Sequence, residues 1–160
     1  MTAFYKDGPR RALIRSRAML LVASDHAGFA LKEELKGDLE RRGVAYRDLG
    51  TGSPDSVDYP DYAHQLAGAI ERGEAERGLL VCGSGQGMAM TANRHPGVRA
   101  ALAWSEESAR LSRQHNDANV LALAGRLLSL EDAKRILGVW LDTPFEGGRH
   151  ERRVGKIERS

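Results

Sequence analysis

The sequence predicts an α/β fold, a parallel β-sheet covered by helices on both faces, and three observations carry that prediction. Five short apolar runs alternate with five helix-forming stretches along the 160 residues, the pattern of repeated βα units. The runs are continuously apolar rather than alternating, as in strands buried on both faces. Glycines and capping residues fall where one period gives way to the other. A chain of this length most simply forms one domain with a substantial core.

Taken in order, residues 1–18 show no clear apolar period and are broken by Gly8-Pro9. They read as a flexible basic leader, separate from a domain over 19–160. Their arginines give them some transit-peptide character, and they fit equally a true start at Met19. The first strand is Met19-Leu20-Leu21-Val22-Ala23, followed by the turn Ser24-Asp25-His26-Ala27-Gly28. Phe29 to Arg42 is an amphipathic helix with Leu31, Leu35 and Leu39 on one face and Lys/Glu on the other,. Gly43 closes it. Val44 to Leu49 is the second strand, and Gly50 to Pro60 is a loop rich in Gly, Ser, Pro and Asp,. Asp61 to Arg72 is the next helix, ended by Gly73.

The centre of the chain is Leu79-Leu80-Val81-Cys82-Gly83-Ser84-Gly85-Gln86-Gly87. An apolar strand ends on the only cysteine, three alternating glycines follow, and a helix opens at Gly87 and runs to Arg94. Glycine lets backbone approach a ligand closely, and free N–H groups at a helix start suit an oxyanion or phosphate. The same field favours the thiolate form of a cysteine, so Cys82 reads either as a base or nucleophile or as a buried packing residue. Val98 to Ala103 is a fourth strand. Ser105 caps a helix through His115, with Glu106 and Glu107 in its first turn,. Asn119 to Leu123 is the fifth strand. Ser129-Leu130-Glu131-Asp132 fits a capping box opening a helix to about Leu141, and Pro144 stops it,. Glu146 to Ser160 is a polar, Arg-rich tail.

Ligands of parallel sheets bind beyond the carboxyl ends of the strands. That rule gathers Asp25, His26, Cys82, Ser84 and Arg126 onto one rim. Asp25 and His26 either move protons and hold phosphate, or cap a helix and sit in solvent. His115 stands at a helix C-terminus, where the dipole favours its cation. It is a candidate general acid or simply a charge–dipole cap. Arg149 and Arg153, four apart, form a two-pronged anion clamp if the tail is helical there, or else a solvated basic tail.

Several classes are excluded. One cysteine allows no internal disulfide and no Cys-cluster zinc site, and it fits a reducing, cytoplasmic setting,. His64, His95 and His150 show no ligand-like spacing, so no metal site is expected. No apolar run approaches the ~20 residues of a membrane span. The leader carries five basic residues against Asp7 alone, a net +4 of the total +2, so the remaining chain is near −2 and does not resemble a nucleic-acid binder,. A dinucleotide fingerprint would stand after strand one, where the sequence has Ser-Asp-His-Ala-Gly, and the Walker lysine is absent,.

Five segments together resemble the ribose-5-phosphate isomerase B family, whose relatives include galactose-6-phosphate isomerase subunits. They are Ser24-Asp25-His26-Ala27-Gly28, Asp58-Tyr59-Pro60, Cys82-Gly83-Ser84-Gly85, Ser112-Arg113-Gln114-His115-Asn116-Asp117 and Glu146-Gly147-Gly148-Arg149-His150. The resemblance covers about Met19 to Val154. It implies a Rossmann-like three-layer α/β sandwich with a five-stranded parallel sheet, and a homodimer or dimer of dimers with the active site at the interface. It implies no metal or nucleotide cofactor. In the family the base is either a strand-end Cys or a Glu in the following helix; here those positions hold Cys82 and Met88, which implies a Cys-type enzyme.

By the same resemblance, the reaction interconverts ribose 5-phosphate and ribulose 5-phosphate through an enediolate, in the non-oxidative pentose phosphate branch. Cys82 moves the proton between C2 and C1, His115 assists ring opening and Asp25 handles hydroxyl protons. Ser84, Asn116 and the amides of Gly83, Gly85 and Gly87 stabilise the enediolate. His26, Arg126, Arg149 and Arg153 hold the phosphate, with His115, Asn116 and Arg126 expected from the partner subunit. Two alternatives stand beside it: an isomerase of a six-carbon phosphate (allose or galactose 6-phosphate), and a non-catalytic sugar-phosphate or nucleotide binding module. Cys82, Asp25 and His115 together argue against the second.

Overall fold

The computed structural model describes residues 18–159, so the expected leader, apart from Ala18, lies outside the described residues. Five strands, β1 (Leu20–Ser24), β2 (Tyr46–Asp48), β3 (Arg77–Cys82), β4 (Ala100–Leu102) and β5 (Val120–Ala124), form one sheet. Every pairing is parallel and the order is β2-β1-β3-β5-β4. Five helices connect or follow them: α1 (Phe29–Arg41), α2 (Tyr59–Glu71), α3 (Gln86–Ala92), α4 (Glu106–Gln114) and α5 (Leu130–Asp142). The segment expected to be tail adds a sixth, α6 (Arg149–Val154).

Strand alternation divides the core into two. Leu20, Val22, Leu79, Val81, Leu121 and Leu123 pack with Leu35 and Leu39 of α1 and with Ile136, Leu137 and Trp140 of α5. Leu21, Ala23, Leu80 and Cys82 face the other way, onto Leu66 and Ile70 of α2 and Met88 of α3. The three-layer sandwich follows directly from which side each residue faces. Every residue of β1 and β5 is buried, which explains their unbroken apolar spelling. Leu79 lies at the centre of this core, and Leu79→Ala would cost roughly 2–5 kcal/mol.

The helix boundaries show the chemistry expected of them. Gly43 and Gly73 adopt φ of 71° and 77° just past α1 and α2, the left-handed stop that favours glycine. Ser105 forms a reciprocal capping box with Ser108. At Ser129 the serine half of the expected box is present, its side chain accepting from the Asp132 amide at 3.1 Å.

One expectation for α1 fails. Lys32, assigned to the polar face, is wholly buried, whereas Leu31 is only half-buried. A buried lysine needs partners, and Lys32 has two: its Nζ donates to Asp48 Oδ1 at 2.7 Å and to the Thr51 carbonyl at 2.6 Å. It thereby pins the loop after β2 against α1.

Candidate active site

The chain runs from β1 out to β2, then returns to place β3 on β1's other side. The crevice at such a reversal is where open α/β sheets bind ligands. Two turns meet there. After β1, the Asp25 amide donates to the Val81 carbonyl at 3.3 Å, and Asp25 Oδ1 accepts from the Gly28 amide at 2.9 Å. Asp25 is buried with one carboxylate oxygen engaged in the turn, so the turn-capping role is real. Gly28 is obligatory, since a Cβ there would lie 2.2 Å from the Val81 carbonyl oxygen. His26 Nδ1 lies 3.2 Å from both the Val57 amide and its carbonyl. Among the described residues its second nitrogen has no hydrogen-bond partner.

After β3, Cys82 is 4% exposed and its Sγ accepts from the Gly85 amide at 3.1 Å. Gly85 makes this contact in the left-handed region, φ 76°. A Cβ there would also lie 2.5 Å from Leu102 and 3.1 Å from the Leu123 backbone. The loop therefore folds back over the sulfur only because residue 85 is glycine. Gly87 lies flat against the Tyr59 ring, where a Cβ would come within 2.6 Å. Ser84 is half-buried in the same loop. Met88 is fully buried and serves packing.

Arg126 joins this rim because β5 lies beside β3. The Gly125 amide donates to the Cys82 carbonyl at 2.8 Å and the Arg126 amide to the Gly83 carbonyl at 3.0 Å. The guanidinium lies over Gly83, close to where a Cβ would be. Arg126 thus sits beside the Cys82–Gly83 turn of its own chain. Asp25, His26, Cys82, Gly83, Ser84, Gly85, Gly87 and Arg126 all meet at the β1/β3 crevice.

His115, Asn116, Arg149 and Arg153 do not. Helix α4 runs back from the carboxyl rim, so His115 and Asn116 stand just before β5 begins. A five-residue strand puts them roughly 15 Å from Cys82. The turn is held there by Arg113, which donates to Asp117 Oδ1 at 2.9 Å and to the Ala118 carbonyl at 2.7 Å. Asp117 takes φ 47° to make the bend. The C-terminal segment docks on this end: the Glu146 amide donates to the Gln114 carbonyl at 3.1 Å. The His150 ring stacks on His115 with centroids 4.3 Å apart and planes 12° from parallel. Arg149 and Arg153 flank His150 on α6. Loss of water lowers the pKa of His150, and the neighbouring His115 and Arg149 lower it further.

Spacing along the sequence missed two histidine groupings, because the two histidines of each lie more than 30 residues apart. One is His115 with His150 and Glu146, whose Oε2 is 3.5 Å from His150 Nε2. The other is His64 Nδ1 at 2.7 Å from His95 Nε2, with His95 Nδ1 at 2.7 Å from Glu71. Among the described residues no helix is long and apolar enough to cross a membrane.

Known proteins share this sequence pattern and fold. The family model described as Ribose/Galactose Isomerase matches residues 20–157. Ribose-5-phosphate isomerase B of Escherichia coli (strain K12) is 49% identical over 133 residues, 83% of this chain and 89% of the relative. A ribose 5-phosphate isomerase structure from Thermotoga maritima superposes with a TM-score of 0.85 at 51% identity, covering 88% of this chain and 97% of that one. A ribose-5-phosphate isomerase B structure from Mycoplasma genitalium, with bound ribulose-5-phosphate, gives 0.83 at 40% identity, over 86% and 92%. On sequence and fold, the chain belongs to the ribose/galactose isomerase family of enzymes.

Proposed function

We propose that this chain interconverts ribose 5-phosphate and ribulose 5-phosphate, with Cys82 as the base. The observation that carries the proposal is the Cys82 sulfur at the end of β3, with the Gly85 N–H directed onto it and Arg126 and Asp25 on either side. The named activity of the relatives supports the substrate, including the one with ribulose-5-phosphate bound.

In the forward direction the ring opens and C1 becomes an aldehyde. The Cys82 thiolate removes the C2 proton, and the electron pair moves through the C1–C2 bond onto the C1 oxygen to give the enediolate. The proton then returns from sulfur to C1, and the hydroxyl proton on O2 leaves as C2 becomes the ketone. Asp25 has one carboxylate oxygen outside the turn and is placed to carry that proton between O2 and O1. Developing charge is met by Ser84 and by the amides of Gly83 and Gly87. The Gly85 amide, occupied by sulfur, serves the base instead. His26 and Arg126 hold the phosphate from this rim, and remote binding energy orients the reacting carbons.

His115, Asn116, Arg149 and Arg153 lie at the far end of their own sheet. They complete the site when a second copy presents that end to this rim, as a homodimer or a dimer of dimers. His115 then assists ring opening, Asn116 joins the enediolate donors, and the two arginines close on the phosphate. Such a reaction belongs to the non-oxidative interconversion of pentose phosphates.

The test is an isomerase assay with ribose 5-phosphate beside allose 6-phosphate and galactose 6-phosphate. The proposal requires the highest kcat/KM on the pentose. A preference for either hexose phosphate moves the enzyme to six-carbon substrates. Binding of all three without turnover makes it a binding module.

A further inference from the structure

His115, Glu146 and His150 each offer one metal-ligating atom, and the three atoms lie within 4.8 Å of one another. They are drawn from two segments that the backbone joins firmly, since the Glu146 amide is bonded to the carbonyl of Gln114, the residue before His115. Two imidazoles and one carboxylate are a donor set that zinc takes with three protein ligands and one open position. Zn–N distances of about 2.0–2.1 Å at tetrahedral angles put donors about 3.4 Å apart, so gaps of up to 4.8 Å must close to that value and the His115 ring must turn out of its stack on His150. Half-buried His115 and exposed Glu146 have the freedom to make that movement. Arg149 and Arg153 face His150, and their charge sets the affinity well below that of a closed structural zinc site.

We infer that His115, Glu146 and His150 form a binding site for a divalent transition-metal ion, Zn²⁺ foremost, and that its occupation shuts down the isomerase. The ion is an inhibitor and not a cofactor. It takes the His115 lone pair needed to accept or pass the ring-opening proton, and it fixes α6, which carries the phosphate arginines. The inhibitory half rests on the role proposed for His115; the ligand set does not.

The experiment uses the full chain, stripped with a chelator, with Co²⁺ as the spectroscopic probe and Zn²⁺ as competitor and inhibitor. Intense visible d–d bands of low-symmetry Co²⁺ should appear, disappear on adding Zn²⁺, and persist in Cys82→Ala, whose thiol lies at the other end of the sheet. Loss of an outer partner of a metal ligand costs 10–100-fold in affinity, so loss of a direct ligand should cost at least ten-fold. Glu146→Gln and His150→Gln should therefore each weaken Co²⁺ binding ten-fold or more. Glu146 is exposed, so its variant should fold normally and keep basal turnover. In it the Zn²⁺ concentration for half-inhibition should rise at least ten-fold. Co²⁺ bands and Zn²⁺ inhibition unchanged in both variants would overturn the site. Metal bound through these residues without effect on turnover would overturn the inhibition, and with it the role of His115, while the ligand set stands.

Discussion

Replacing Asp48 with alanine should destabilise the protein far more than its partly exposed position suggests. Asp48 Oδ1 lies 2.7 Å from the Nζ of a lysine with no solvent exposure, and its own side chain is 25% exposed. Burial alone would raise the Asp48 pKa, but hydrogen bonds from Lys32 and Lys36 override it and the value is lowered. Two unit charges 4 Å apart attract by about 4 kcal/mol at an effective dielectric of 20. Breaking a buried pair from one side costs roughly 3–5 kcal/mol, because the remaining charge is stranded. Water reaches Asp48, so about 2–4 kcal/mol is expected here. Lys32 would retain only the Thr51 carbonyl and Glu33 at 3.8 Å. At about 2–4 °C per kcal/mol for a chain of this size, Tm should fall by roughly 5–15 °C. Urea unfolding should show the same loss at an unchanged m-value. The double variant Lys32→Met with Asp48→Ala should recover part of it. If Asp48→Ala costs under 1 kcal/mol, Lys32 is reached by water and the buried-pair account of this loop is wrong.

Three further outcomes follow from the site. Arg149→Ala or Arg153→Ala should each raise KM by an amount equivalent to about 1.5–3 kcal/mol, the scale of hydrogen bonds to charged groups; unchanged KM in both would leave α6 without a phosphate. Mixing inactive Cys82→Ala with inactive His115→Ala should restore part of the activity as subunits exchange, whereas full activity in a sedimenting monomer would contradict a shared site. His150 has a lowered pKa in the folded state, so the unfolded chain takes up its proton first as pH falls below ~6.5. Stability should drop on acidification from pH 7.5 to 5.5, more in the wild type than in His150→Gln; parallel melting curves would refute this.

Most of the fold is legible in the sequence because β1, β3 and β5 are buried on both faces and cannot be spelled otherwise. The order of β4 and β5 is not legible, since no local signal says that β5 inserts beside β3. Yet that insertion is what seats Arg126 over Gly83. The rim residues Asp25, His26, Cys82 and Ser84 are legible because a parallel sheet sends every strand end to one side. Burial of Lys32 escapes the sequence because its partners, Asp48 and the Thr51 carbonyl, lie on a different segment. The stacking of His150 on His115 escapes it for the same reason, being created by the docking of the C-terminal segment on α4.

The account stands or falls on Cys82. Isomerisation of ribose 5-phosphate by Cys82→Ala should be slower by about 10²–10⁴-fold, the usual contribution of a general base. Phosphate-ligand binding should persist, because His26 and the arginines are untouched. Cys82→Ser should fare little better, since an alcohol is far less acidic than a thiol. Alkylation of the wild type by iodoacetamide should abolish turnover, with bound sugar phosphate protecting against it. Near-normal turnover in Cys82→Ala would put the base elsewhere, with Asp25 the next group in place, and would return Cys82 to packing.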